Sequence, residues 1–250
     1  MDSTVEILVL VTVGFIAGFI NTVAGGGSLL TLPVLIFLGL PPNVANGTNR
    51  IGILFQSIFT TAGFNSKGVK AFPFGLYVGI SALIGSVLGA QLAIDIKGEI
   101  FNKILAVIMV LVVAFMVMNS KNKPLDIIEK SSGKQLWLSI VLFFFIGIYG
   151  GFIQAGVGII MLFVLSTVNN ISLVKSNAIK VFVTLIFTIS AVIIFVINDK
   201  IDWKLGLILA IGNAIGGWIA SRWSVKKGDK LVQKLLVIMV VIMAIKLWFF

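Results

Sequence analysis

Apolar residues fill the chain in long runs, and short clusters of glycine, proline and charged residues separate these runs. The apolar segments lie near residues 7–23, 28–40, 51–64, 72–94 and 104–118, and then near residues 136–154, 158–168, 181–197, 205–221 and 235–249. A helix that spans a bilayer needs about 20 apolar residues, and the strict alternation of a membrane-barrel strand is missing. The pattern therefore predicts an all-α fold, a polytopic helical bundle in a membrane.

The composition agrees with a membrane protein. The 250 residues are 59% hydrophobic and 11% charged, with a mean hydropathy of +1.15, which soluble domains of this length do not normally show. Asp2 and Glu6 precede the first segment, whereas a secretory signal begins with positive charge, so we expect a retained membrane segment. Since the chain has no cysteine and no histidine, disulfides, thiolate or imidazole metal sites and catalysis by either residue are excluded.

The segments divide into two groups of five. A polar linker at residues 119–135 separates a first membrane repeat, residues 1–118, from a second, residues 136–250. Residues recur between the two groups at a constant offset, as when Gly75 matches Gly206 and Gly85 matches Gly216. Because five is an odd number, the second repeat should enter the membrane from the opposite face, and we expect inverted repeats.

Lysine and arginine positions predict the orientation, because short cytoplasmic loops carry an excess of them. One face would hold the larger group, which is Lys67, Lys70, Lys121, Lys123, Lys130, Lys134, Lys175, Arg222, Lys226, Lys227, Lys230 and Lys234. The other face would hold only Lys97, Lys103, Lys200 and Lys204. The first face is thus predicted to be cytoplasmic, with the linker there and both termini outside. This distribution also explains the net charge of +10, so we expect no nucleic-acid partner.

Two glycine-rich breaks interrupt the apolar pattern at corresponding positions. Their glycine and polar residues are Asn21, Gly25, Gly26, Gly27 and Ser28 in the first break, and Gln154, Gly156 and Gly158 in the second. A helix over residues 28–40 would be only about 20 Å long, short of a bilayer core of about 30 Å. We therefore expect the first two segments of each repeat to form a short or re-entrant hairpin with a glycine-rich tip.

Such tips are candidates for a binding site. Unwound backbone at membrane depth persists only where it is buried or lines a cavity, so paired breaks predict a central site in a transporter. Ser28 lies where an N-cap is expected, and the helix that follows would present free N–H groups and a positive dipole end to an anion. The alternative interpretation is that the glycines allow close packing of helices.

Hydroxyl, amide and cationic side chains open the third segment of each repeat. They are Thr48, Asn49 and Arg50 in the first repeat, and Ser176, Asn177 and Lys180 in the second. This combination suits the oxygens of an oxyanion. The alternative is a helix cap followed by a basic residue that reaches the membrane surface.

The acidic residues indicate the charge of the substrate. All of them lie at segment ends or in loops, whereas proton relays and cation carriers usually place a carboxylate or histidine within the bilayer. A cationic substrate is therefore disfavoured, and the expected partners are a small anion and the lipid bilayer. A homo-oligomer is compatible with the sequence, and no cofactor and no metal are expected.

The run from Gly14 to Ser28, followed by Leu32-Pro33 and Ala45 to Asn49, resembles the TauE/SafE-type sulfite exporter family of membrane permeases. Gly150 to Gly158 and Ser176-Asn177 resemble the second repeat of that family. The resemblance implies transport of sulfite, a sulfonate or another sulfur-containing organic anion across the cytoplasmic membrane of prokaryotes, often outward.

We therefore expect a secondary transporter that exports a small anion by alternating access about a midplane site. The alternatives are an anion channel of the same architecture and a non-transporting membrane assembly subunit. An enzyme is not expected, because the usual acids, bases and metal ligands are missing from the apolar segments.

Overall fold

The computed structural model describes residues 3–105, 107 and 129–249, and every regular element in these residues is an α-helix. The helices are α1 (Ser3–Ala24), α2 (Ser28–Phe37), α3 (Pro42–Asn65), α4 (Phe74–Ile94), α5 (residues 98–105), α6 (Gly133–Phe152), α7 (Val157–Thr167), α8 (Leu173–Ile197) and α9 (Trp203–Phe249). Most of the predicted segment 104–118 and most of the predicted linker lie outside the described residues.

Five helices of the described part are long and apolar enough to cross a membrane: α1, α4, α6, α8 and the part of α9 that ends at Lys227. Large apolar side chains such as Leu8 on α1, Ile84 on α4 and Ile193 on α8 are exposed on their outer faces, as lipid contact requires. The predicted polytopic helical membrane fold is confirmed. The division into inverted repeats stays a prediction.

α2 and α7 are short apolar helices, with 10 and 11 residues. At 1.5 Å per residue they are about 15 to 17 Å long, roughly half the thickness of the hydrocarbon core. Each follows a glycine-rich break. A Cβ atom added to Gly27 would lie 2.6 Å from the Cβ atom of Asn21, so the start of α2 folds back on the end of α1.

α9 is continuous from Trp203 to Phe249, so the predicted boundary between segments 205–221 and 235–249 is wrong. The intervening residues, 222–234, are mostly polar, but they contain a single glycine and no proline. One glycine costs a helix about 1 kcal/mol, which the surrounding helix-forming residues can offset. The charges here do not end the helix.

The helices of the two sequence parts are interleaved in the packed structure. α1 and α3 both pack extensively on α9, while α6 and α8 both pack extensively on α4. We call α1, α3 and α9 the first packing unit, and α4, α6 and α8 the second. They meet where α3 contacts α8. Each packing unit therefore contains helices from both sequence parts.

Small residues allow this close packing. A Cβ atom added to Gly18 of α1 would lie 2.9 Å from Asn213 Cα of α9. A Cβ atom added to Gly89 of α4 would lie 2.8 Å from the carbonyl carbon of Ile148 of α6. Helices in membranes associate through such backbone approaches, because lipid supplies no hydrophobic driving force. The packing interpretation of glycine thus applies to these helix faces.

Candidate functional site

The two glycine-rich breaks meet in the interior of the protein. Residues 22–29 of the first break and 153–159 of the second are all buried. A Cβ atom added to Gly158 would lie 2.6 Å from Gly25 Cα. The two tips therefore touch through their backbones, with no room for a side chain between them.

Left-handed backbone conformations turn the chain at both tips. Gly25 has φ +83° and Gly156 has φ +72°, values that favour glycine because a Cβ atom would meet the backbone. The Gly25 N–H donates to Asn21 O at 3.0 Å, which closes the end of α1 in the manner of a glycine C-cap. Gln154 also has a positive φ, +64°, so a non-glycine residue is held in a costly conformation at the second tip.

Lys180 of α8 is buried beside the first tip. Its ammonium group donates to Asn21 O at 2.7 Å, to Thr22 O at 2.9 Å and to Asn177 Oδ1 at 2.6 Å. The two carbonyls belong to the end of α1, where the helix dipole is negative, and Asn21 O accepts from the Gly25 N–H as well. A cation from α8 thus caps a helix of the other packing unit.

Arg50 of α3 makes the reciprocal contact at the second tip. Its terminal nitrogens donate to Gly150 O at 3.1 Å, to Gly151 O, and to Gln154 Oε1 at 3.4 Å. The guanidinium carbon lies 4.7 Å from the centre of the Phe195 ring, and this contact adds a favourable cation–π interaction. Arg50 therefore caps the end of α6 as Lys180 caps the end of α1.

An asparagine one turn before each cation strengthens the cap. Asn46 Nδ2 donates to Phe152 O at 2.7 Å, and Asn177 Nδ2 donates to Val23 O at 3.2 Å. Asn177 was predicted as a site residue, whereas Asn46 was not. The missed signal is its position one helical turn before Arg50, which places the two side chains on one face.

The two buried cations face no buried carboxylate in the described part of the chain. The ion pairs described there, Lys103–Glu99 and Lys175–Glu129, lie at exposed or partly exposed positions. Backbone and amide dipoles solvate Arg50 and Lys180 but carry no net charge. No described carboxylate therefore compensates a positive charge on these side chains, and such a charge favours an anion at the tips.

A small cavity lies beside Lys180, where α1, α2, α3, α7 and α8 meet. Its volume is about 10 Å³, roughly the space that one water molecule needs. The predicted residues that line it are Asn21, Ser28, Gln154, Gly158 and Lys180. Ile53, Ser57, Val157, Val181 and Thr184 complete the lining. A sulfur oxyanion is larger than one water, so its binding requires the surrounding helices to move apart.

The other predicted site residues lie around the cavity and do not line it. Gly25, Gly26, Gly27 and Gly156 form the backbone of the tips. Thr48 Oγ1 accepts from the Asp202 N–H at 2.9 Å, just before α9. Asn49 Oδ1 accepts from Thr31 Oγ1 at 2.6 Å, which joins α3 to α2. Ser176 donates to a backbone carbonyl just before α8, and Arg50 reaches the cavity only through Gln154.

Two helices begin differently from the prediction. The N-cap of α2 is Gly27, with no side-chain cap bond, so Ser28 is the first helical residue and does not cap the helix. α3 begins at Pro42, a favourable first position for proline, so Thr48 to Arg50 lie well inside the helix. Polar side chains on the inner face of α3 lower the hydropathy of its first turns. The hydropathy pattern therefore predicted the start of this helix too late.

Ser57 and Thr184 are lining residues that the sequence analysis missed. Ser57 follows Arg50 by two helical turns, and Thr184 follows Lys180 by one turn. Residues at these spacings share a helix face. Both residues could therefore have been found by following the helix face that carries each cation towards the carboxyl end of that helix.

A larger depression lies on the surface near the first tip. Its volume is about 400 Å³, and it is lined by Lys67, Arg222, Trp223, Val225 and Lys226. The Trp223 ring lies 5.7 Å from the ring of Phe19, and both side chains pack against Val23 at the end of α1. The depression is therefore basic, and its wall reaches the helix end that Lys180 caps.

The chain is similar to a known protein family and to several known proteins. The family model described as "Sulfite exporter TauE/SafE" matches residues 10–247. The chain is 29% identical over 238 residues to "Probable membrane transporter protein ORF9" of Sinorhizobium sp, a match that covers 95% of this chain and 90% of the relative. It is 28% identical to a "Probable membrane transporter protein" of Haemophilus influenzae, covering 99% and 96% of the two chains. No solved structure matches the chain. The resemblance found in the sequence is confirmed, and the chain belongs to the sulfite exporter TauE/SafE family of membrane transporters.

Proposed function

We propose that the protein is a secondary transporter that exports a small anion, such as sulfite, a sulfonate or another sulfur-containing organic anion. The observation that carries the proposal is the pair of buried cations, Arg50 and Lys180, at the contact of the two tips. Burying an ion costs several kcal/mol in real proteins, and here no described buried carboxylate compensates it. A site that must attract an anion accounts for this costly arrangement.

We infer that transport proceeds by alternating access about the cavity beside Lys180. The cavity of about 10 Å³ is too small for the substrate as it stands, and the glycine tips close it by direct backbone contact. The first and second packing units would move against each other, opening the cavity to one side of the membrane at a time. A fixed open pore does not fit so small a cavity.

The basic depression is our candidate for the entrance. Lys67, Arg222 and Lys226 belong to the predicted cytoplasmic face, and positive charge at a mouth raises the local concentration of anions. Entry from this side corresponds to export. We place the protein in the cytoplasmic membrane, with the N-terminus outside.

Purified protein in liposomes tests the proposal directly. Uptake of radiolabelled sulfite, of a small sulfonate and of a small carboxylate would be measured as a function of concentration. We expect saturable flux of at least one anion, faster when the cytoplasmic face meets the labelled compartment. The paired substitution Arg222→Gln with Lys226→Gln should raise the KM at low salt, and this effect should shrink as salt screens the charges.

Rates and currents distinguish the alternatives. Single-channel currents far above carrier rates would replace the transporter with an anion channel. A folded protein without saturable flux of any tested anion would overturn the proposal and favour an assembly subunit. Circular dichroism and gel filtration of the same preparation establish that the protein is folded.

A further inference from the structure

The outer face of α9 changes from apolar to basic near the end of its membrane span. Ile211, Ile215 and Ile219 are exposed, with 44% to 55% of each residue accessible. Their spacing of four residues places them on one face of the helix. Arg222 and Lys226 follow Ile219 by three and seven residues, so they continue the same face into the last turns of the span. An exposed apolar strip therefore leads directly to two positive charges.

The basic depression lies between this face of α9 and the end of α3. Its volume is about 400 Å³, and its lining residues are Lys67, Arg222, Trp223, Val225 and Lys226. Lys67 lies just after α3, whereas Arg222 and Lys226 belong to α9. Two separate elements thus direct three cations to one depression. None of the described lining residues is acidic, so nothing in the lining neutralises this charge.

Aromatic and apolar side chains support the basic ones. The guanidinium carbon of Arg222 lies 5.2 Å from the centre of the Trp218 ring, and this cation–π contact restrains the charged group. Trp223 packs against the end of α1, and Val225 packs against Phe64 of α3. Tryptophan is typical of the level at which lipid head groups lie. The depression therefore suits a molecule that joins an anionic group to an apolar part.

The alternative is that these cations only extend past the apolar region to water, as lysine and arginine often do at the ends of membrane helices. A side chain that only reaches water needs no aromatic support and no partner from another element. Arg222 is instead half-buried and rests on Trp218, and Lys67 reaches the same depression from the end of α3. This convergence favours a bound group with several oxygens, and a phosphate group accepts hydrogen bonds from both lysine and arginine.

We propose that the basic depression binds the phosphate group of an anionic phospholipid, with an acyl chain along Ile211, Ile215 and Ile219. Basic pockets between membrane helices bind such head groups on the cytoplasmic side, which is the side that the charge distribution predicts for this depression. A free phosphate ion offers the same oxygens but makes no use of the apolar strip. Lipid binding does not depend on the proposed transport. Under that proposal, the lipid and the substrate anion compete for the cations at the entrance.

Native mass spectrometry of the full-length protein, released from detergent, counts bound lipids directly. Phosphatidylglycerol and phosphatidylcholine with identical acyl chains are matched probes, because only phosphatidylglycerol has a net negative charge. We expect the wild type to bind phosphatidylglycerol more tightly. In the paired substitution Arg222→Gln with Lys226→Gln, the Kd of phosphatidylglycerol should rise about tenfold or more, because two cations that attract the lipid are lost. Lys103→Gln with Lys204→Gln also removes two exposed cations, but from other parts of the surface, and should leave this Kd unchanged.

Lys67→Gln should also weaken phosphatidylglycerol binding, and it carries the test if the paired variant of α9 does not fold. Equal binding of the two lipids by the wild type would overturn the inference, as would an equal loss in the control pair. Inorganic phosphate is added as a competitor, and displacement of phosphatidylglycerol by it would assign the depression to a free anion instead of a lipid. A protein that binds the lipid but carries no anion would contradict only the proposed transport.

Discussion

Replacing Lys180 with glutamine removes the charge beside the cavity while keeping an N–H donor at that position. Glutamine can still bond to one or two of the oxygens that now accept from the ammonium, which are Asn21 O, Thr22 O and Asn177 Oδ1. The end of α1 therefore keeps part of its cap. What the substitution removes completely is the attraction between the side chain and a bound anion.

The size of that attraction follows from the position of Lys180 in the cavity lining. Two unit charges about 4 Å apart interact by about 4 kcal/mol at an effective dielectric constant of about 20. Each 1.4 kcal/mol corresponds to a factor of about ten in affinity. Since the remaining charge of Arg50 and residual hydration offset part of the loss, we expect kcat/KM to fall by about 100-fold to 1,000-fold.

Initial rates of labelled sulfite uptake into proteoliposomes measure this fall. Lys175→Gln is the matched control, because Lys175 lies in the first turn of the same helix, with 40% of its side chain exposed. An ion pair at such a position contributes little, so the control should keep nearly the wild-type kcat/KM. Lys180→Arg should recover part of the activity, because it restores the charge with a different donor geometry.

A Lys180→Gln protein that keeps kcat/KM within about threefold of the wild type would refute the reasoning. In that case the charge of Lys180 would serve only to cap α1. Thermal unfolding in detergent is measured on the same samples. A large fall in Tm together with lost flux would trace the loss to folding, and Lys180→Arg then decides whether charge matters.

Three further predictions concern the tips and the topology. Gly25→Ala should destabilise the fold by more than about 2 kcal/mol and abolish transport, because it adds a backbone clash to an unfavourable φ of +83°. Gly68 also has a positive φ, +76°, but lies in open space. Gly68→Ala therefore controls for the backbone conformation alone and should cost about 1 kcal/mol. Arg50→Met should lower the free energy of unfolding by about 1 to 3 kcal/mol for each carbonyl left unpaired, with a smaller effect on KM than Lys180→Gln; an unchanged Tm would contradict the capping role. The chain has no native cysteine, so single cysteines can report the orientation in the membrane. Lys67→Cys should react with an impermeant maleimide only in inside-out vesicles, and Asp199→Cys only in intact cells. The reverse labelling pattern would show the opposite orientation.

The elements that were predicted correctly each have one strong local signal in the sequence. Gly25 and Gly156 break long apolar runs, and both adopt the left-handed backbone conformations that turn the chain there. Long apolar runs likewise identified α4, α6 and α8 as membrane spans. In these places the local preference and the packed structure agree, so the pattern was sufficient.

The errors occur where packing decides the structure. The start of α3 was placed too late because Asn46 and Thr48 are polar, although both are fully buried and bonded to distant parts of the chain. Hydropathy treats such residues as loop residues. The continuity of α9 past Lys227 was missed for a related reason, since charge was taken as the end of a helix. Ser57 and Thr184 were missed because a single serine or threonine in an apolar segment does not by itself indicate a binding site. Their role is visible only once the cavity that they line is known.

The interleaving of the helices gives the two buried cations a common role. Arg50 extends from α3 in the first packing unit to the end of α6 in the second, and Lys180 extends from α8 in the second unit to the end of α1 in the first. Both caps therefore cross the boundary along which we propose that the protein moves. Under the proposed function, we expect an anion beside Lys180 to compete with the α1 carbonyls for the ammonium group, so its arrival would weaken one of these two connections. Substrate binding and the release of α1 from the second unit would then be linked energetically, because one lysine cannot fully satisfy both.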